Sequence, residues 1–145
     1  CRGVFFGLSA IHTKKDMIRA VMEGVSYSLK DCNDILCEMG VKVEEMMACG
    51  GGGTSKLWRQ MLADMYECEV KTVASKEGPA LGVAILAGVG AGIYKSVPEA
   101  CAKIVKKDKT CSPIHQNSET YKKYHQVYKD LYPSLKARYK ELANI

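Results

Sequence analysis

The chain of 145 residues is long enough for one domain with a real core. Its 47% apolar and 26% charged content fits the globular class. No apolar run approaches the ~20 residues of a membrane span. No charged region leads into an apolar stretch at the N-terminus as a signal peptide requires. The net charge of +5 is uneven: residues 103–145 hold 10 of the 21 Lys and Arg but 4 of the 16 Asp and Glu. A basic tail of this kind can meet an anionic partner or be a solvated face.

Val4-Phe5-Phe6, flanked by Gly3 and Gly7, reads as the end of a strand. A domain rarely opens on such a strand, so the chain is expected to be part of a longer protein. Thr13-Lys14-Lys15-Asp16 forms a capping box. The helix it starts runs to about Met39, with Ile18, Val21, Met22, Val25, Leu29, Cys32 and Leu36 at steps of three and four. Arg19 and Glu23 lie four apart and can pair. Gly24 costs roughly 1 kcal/mol against alanine in that helix, which a closely packed neighbouring backbone would explain. Gly40 ends the helix.

Residues 45–49 read as a buried strand that delivers four consecutive glycines, Gly50 to Gly53, before Thr54-Ser55. A helix then carries Leu57, Trp58, Met61, Leu62 and Met65. The glycines are expected to form a turn with φ > 0, where bare backbone lets a flat ligand lie close and the following amides can meet an anion. The alternative is a tight strand–helix connection without a ligand. The run fails as a Walker A loop, because Lys56 follows Ser55 and no Ser or Thr follows it. It fails as a dinucleotide fingerprint because Ser55 stands where the third glycine should be.

Glu69 to Ala74 reads as a short strand. In residues 78–92, Ala80, Ala84, Ala87 and Ala91 share one helical face. Such a face permits a close helix crossing, and a plain buried helix is the alternative. Ser96-Val97-Pro98-Glu99 is a second capping box, for a helix ending near Val105. Residues 107–117 read as a polar connector to a helix over 118–143. Its stripe is Tyr121, Tyr124, Tyr128, Leu131, Leu135, Tyr139 and Leu142, and Pro133 is expected to kink it. The tyrosines share one face and the lysines lie mostly elsewhere, so nucleic-acid binding is not expected.

Seven cysteines, at 1, 32, 37, 49, 68, 101 and 111, form no Cys-x-x-Cys pair. They read as reduced core cysteines of a cytoplasmic protein. His12, His115 and His125 have no ligand spacing, so no metal site is expected. No nucleophile–base set can be assembled, and no catalytic residue is assigned within the chain. From the residues alone, the chain is an α/β module with a glycine platform.

Gly3-Val4-Phe5-Phe6-Gly7-Leu8 followed by Asp16-Met17-Ile18-Arg19-Ala20-Val21-Met22-Glu23 resembles the C-terminal signature of the FGGY carbohydrate kinases. Gly50 to Asp64, followed by Glu77-Gly78-Pro79-Ala80-Leu81-Gly82-Val83-Ala84, resembles the adenosine motif and hinge-side helix of that family. The tyrosine-rich tail is similar too, so the resemblance covers nearly all of the chain. The spacing Gly-Gly-Gly-x-x-Ser-x-x-Trp-Arg-Gln looks most like the members that act on xylulose, and those acting on gluconate and ribulose share much of it.

The resemblance implies an α/β fold: the C-terminal part of an actin-like, ribonuclease-H-like kinase lobe, helix-rich with a few central strands. Residues 1–145 would be a single partial domain, truncated at its N-terminal side. ATP with Mg2+ is the implied cofactor. Gly50 and Gly51 would lie against adenine and ribose, Gly52 beside them, and Ser55 at the adenine edge. Family members carry Ala or Gly where Gly53 stands. The small-residue helix would be half of an interlobe hinge, and its face leaves a homodimer open. The sugar would be held mainly by a lobe outside the chain, as would the catalytic aspartate, so the 145 residues alone are expected to phosphorylate no sugar. A standalone actin-like binding or interaction module is the other functional class.

Overall fold

A computed structural model describes residues 2–74 and 78–145. Glu77 of the motif above and Cys1 lie outside the described residues. The chain divides into two compact units. The first comprises residues 1–42, 64–67 and 114–145, and the second residues 43–63 and 68–113.

In the first unit, α1 (Lys14–Glu38) starts where the capping box places it. The Thr13 amide and hydroxyl both donate to Asp16 Oδ2 at 2.7 Å, and these bonds hold the Asp16 carboxyl below its usual range. Gly40 closes the helix at φ 88°. Its amide donates to Cys37 and that of Val41 to Leu36, which satisfies two of the last carbonyls. The expected Arg19–Glu23 pair forms at 2.9 Å. The long C-terminal helix α6 (His115–Ala143) packs on α1. Tyr27 stacks on His125 at 5.4 Å and meets Tyr121 edge-on at 6.2 Å. His125 Nε2 lies 2.7 Å from Asp31 Oδ1. Burial pushes the Tyr27 phenol up.

The start of α6 rests on Asp64, which is buried. Its carboxylate accepts from the Ile114 amide and from Asn117 Nδ2, both at 2.8 Å. An acidic group there complements the orphan amides and the dipole of a helix N-terminus. The helix therefore begins at His115, three residues before the expected start, and runs through Pro133 as one element.

In the second unit, β1 (Glu45–Met47), β2 (Glu69–Val73) and β3 (Lys107–Cys111) form a sheet in that order. Strand β1 pairs with β2 in parallel, Met46 opposite Val70. Strand β3 returns antiparallel, Cys111 opposite Val70. The β1–β2 crossover carries α2 (Gly50–Thr54) and α3 (Lys56–Tyr66). After β2 come α4 (Gly78–Gly90) and α5 (Val97–Ile104), the latter capped by Ser96 and Glu99 as expected. Met61, Ala63, Val70, Ile85 and Ala100 are buried here.

Five further features differ from the sequence-based expectation. Residues 107–111 of the connector are a strand, because Lys-Asp-Lys-Thr-Cys has polar side chains that suit an exposed edge and hides the strand from an apolar pattern. Strand β1 is not buried, because it is the opposite edge. Val4-Phe5-Phe6 is exposed and irregular, since no described residue pairs with its backbone. A Cβ added to Gly24 would meet no described atom within 4 Å, so this glycine borders open space instead of another backbone. Of the described cysteines only Cys68 is buried.

The geometry of the second unit generates two predictions. Glu45 accepts from Lys107 and Lys71, both at 2.6 Å, and Lys71 also meets Glu69 at 2.8 Å, so one ion cluster ties all three strands. The two ammonium groups hold the Glu45 carboxyl down to about 2. A depressed carboxylate pKa adds stability above the ordinary glutamate range, lost as pH falls towards 2. Glu45→Gln is expected to flatten the acid limb of stability between about pH 4.5 and 2 in urea titrations, with the difference shrinking in high salt because the cluster is exposed.

A Cβ on Gly53 would stand 2.5 Å from the Ala48 carbonyl oxygen and 2.9 Å from its carbon. Gly53→Ala gains about 1 kcal/mol of helix propensity, but overpacking against backbone costs about 1–3 kcal/mol. Net destabilisation is expected in the denaturation midpoint.

Candidate functional site

The four glycines do not form a loop. Gly50 takes φ 70° and leads into one α-helical turn, Gly50–Thr54, which ends at Ser55 in extended conformation before α3 begins. The left-handed backbone expected of the run is thus confined to Gly50. Gly53 is pressed on the end of β1, where its lack of a Cβ permits contact with Ala48. Gly52 lies under the Trp58 ring, which would stand 3.2 Å from a Cβ at this position. Gly51 has open space on its side-chain face. The Thr54 hydroxyl donates to Gly51 O at 2.7 Å, and Ser55 Oγ accepts from the Trp58 amide at 3.3 Å. Ser55 therefore acts as a cap for α3.

A cleft of about 390 Å³ opens on this turn. Gly50, Gly51, Gly53 and Thr54 line it with Arg59, and β2 and β3 contribute Thr72, Val73, Asp108 and Lys109. The size falls within the range of small-molecule sites. Of the four residues singled out from the sequence, Gly50 and Gly51 face the cleft. Gly52 and Ser55 stand behind them, one beneath Trp58 and one at the α3 cap. Sequence reasoning misses Arg59, Asp108 and Lys109. Arg59 stands in the motif Trp-Arg-Gln without a role of its own, and the two β3 residues fall in the stretch that reads as a connector.

The first unit holds a larger cleft, about 650 Å³, lined by Phe5, Arg19, Gly24, Tyr27, Tyr121 and Tyr128 among others. Its Arg19, Glu23 and Tyr121 groups bond to one another. The smaller cleft is the candidate because it opens on the bare main chain of Gly50 and Gly51. Asp31, Asp34 and His125 also come together, with ligand atoms within 4.8 Å. Lys30 already neutralises Asp34, and His125 is engaged with Asp31.

The small-residue face of α4 is exposed: Ala80, Ala84, Ala87 and Ala91 meet solvent, and Val83 and Leu86 beside them are 67% and 62% exposed. The helix packs on α5 through its other side, where Gly88 admits the Tyr94 ring.

A three-stranded mixed sheet with a glycine-bearing crossover and a long C-terminal helix matches a known lobe. Residues 1–91 match the FGGY family of carbohydrate kinases, C-terminal domain. A xylulose kinase of Staphylococcus epidermidis is 36% identical over 144 residues, which is 99% of this chain and 29% of that protein. The ligand-bound xylulose kinase of Lactobacillus acidophilus superposes with a TM-score of 0.88 at 28% identity, over 98% of this chain and 29% of that one. A gluconate kinase structure from the same organism gives the same values. The chain belongs to the FGGY family of carbohydrate kinases and has the actin-like fold of their C-terminal lobe. It spans about 29% of the length of these relatives.

The uncovered α4 face generates a prediction. Ala84→Leu and Ala87→Leu are expected to change the stability of the 145-residue chain by no more than about 0.5 kcal/mol, as exposed substitutions do. In a longer protein that covers this face, overpacking would cost about 1–3 kcal/mol. Thermal shifts measured in both forms check this, and equal shifts would contradict it.

Proposed function

We propose that the chain is the nucleotide-side portion of an ATP-dependent sugar kinase that converts D-xylulose and ATP to D-xylulose 5-phosphate and ADP. The supporting observation is the glycine cleft: bare backbone at Gly50 and Gly51, open space above Gly51, and the exposed cationic side chain of Lys109 in the wall. Gly50 and Gly51 would carry the adenosine, with Gly52 and Ser55 shaping it from behind. A flat base can approach backbone that has no Cβ more closely than any substituted surface. The xylulose kinases among the relatives favour that ketose; the gluconate kinase match keeps a sugar acid as the alternative, and ribulose is a further one.

Residues 1–145 are then one partial domain of a longer, cytoplasmic protein. Mg2+ bound with ATP would neutralise charge on the phosphates during in-line transfer. Asp108 is the one carboxylate among the described residues lining the cleft, so the sugar hydroxyl's base and most metal contacts would come from outside this chain. Holding nucleophile and γ-phosphate in line needs both sets of groups, and the chain alone is expected to release no ADP when xylulose is added.

Gly51→Val tests the assignment. The position is open and its φ is unstrained, so the fold is expected to survive the added side chain, which would project into the cleft. In the full-length protein the KM for ATP is expected to rise by about tenfold or more, or ~1.4 kcal/mol, with the KM for sugar unmoved. Equal rises for both substrates with the fold intact would contradict it.

A further inference from the structure

Arg59 sits in the wall of the glycine cleft but is only 4% exposed. Its Nη1 donates to the Gly53 carbonyl at 2.5 Å, and its Nε is buried without a partner among the described residues. Burying a guanidinium with a donor unspent is costly. An aliphatic residue would fill the same space without that cost, so packing alone does not account for an arginine here. The bond to Gly53 is informative. Gly53 belongs to the last turn of α2, whose carbonyls have no intrahelical partner. Arg59 lies one turn into α3, beyond the break at Ser55. The bond therefore spans the break and fastens the glycine turn to the following helix. On its other side, Gly53 is stopped by the Ala48 backbone.

We propose that Arg59 is a positioning residue for nucleotide binding: by holding the Gly53 carbonyl it fixes the Gly50–Thr54 turn in the shape that receives the adenosine. The nucleotide part of this rests on the function proposed above. A turn of four glycines has the largest backbone freedom to lose, and each binding event must otherwise supply that ordering. The clamp removes the freedom before the ligand arrives. Arg59 touches no ligand in this role. Lysine can still reach a carbonyl with a single donor, whereas methionine keeps the stem and loses every donor.

The test uses the full-length protein with Arg59→Met and Arg59→Lys, read in two ways. Hydrogen exchange of the peptide covering Gly50–Thr54, without nucleotide, is expected to quicken by about tenfold in Arg59→Met, with a smaller change in Arg59→Lys. Tenfold corresponds to ~1.4 kcal/mol. Steady-state kinetics are expected to show the KM for ATP rising by a similar factor in Arg59→Met, partly recovered in Arg59→Lys, with the KM for sugar unchanged. Unaltered exchange at Gly50–Thr54 in Arg59→Met overturns the clamp. Equal rises in both KM values also overturn it, because they mark a general loss of structure. Quickened exchange with both KM values unmoved upholds the clamp and counts instead against the adenosine assignment.

Discussion

The second unit depends on one close approach, that of Gly53 to the backbone of Ala48. There is no room for a Cβ between them. That contact lets the chain leave β1 and coil into a helical turn at once, without a longer loop. The turn is then bounded by the Trp58 ring over Gly52 and by Arg59 on the Gly53 carbonyl. Gly50 supplies the left-handed residue that makes the sharp entry. Each glycine thus has its own reason: conformation at 50, open access at 51, an aromatic lid at 52 and backbone contact at 53. What remains exposed is a small area of main chain at the mouth of a cleft.

The first unit is held by different means. A buried carboxylate, Asp64, sits at the start of α6, and a cluster of Tyr27, Tyr121 and His125 packs α6 on α1. Asp64 closes the stretch that resembles the family's adenosine motif, yet its carboxylate is occupied by the Ile114 amide and Asn117. A motif residue is here a structural one. Much of α1 remains uncovered: Ile18, Val21, Val25 and Leu29 are all exposed. The uncovered faces of α1 and α4 are consistent with a chain that spans about 29% of its relatives' length.

Helices are the legible part of the fold, because their caps and spacing are local. Thr13–Asp16, Gly40 and Ser96–Glu99 act as their residue types require. Strands are less so. Strand β3 has no apolar alternation and exists because β2 offers it a ladder. Conversely, Val4-Phe5-Phe6 has strand-like side chains and no described partner. For the site, the glycine run is visible in the sequence, and the resemblance points to its place. The division of labour among the four glycines is not, because it depends on what each would touch. Nor is the bond of Arg59 to the Gly53 carbonyl, because it spans a helix break at Ser55 that no local pattern marks.

The proposed seat of the adenosine is the Gly50–Thr54 turn. Hydrogen exchange of the full-length protein with and without saturating ATP tests it most directly. Slowed exchange in the peptide spanning Ala48–Trp58 is the expected result. Protection confined to other segments, with this peptide unchanged at saturation, would contradict it.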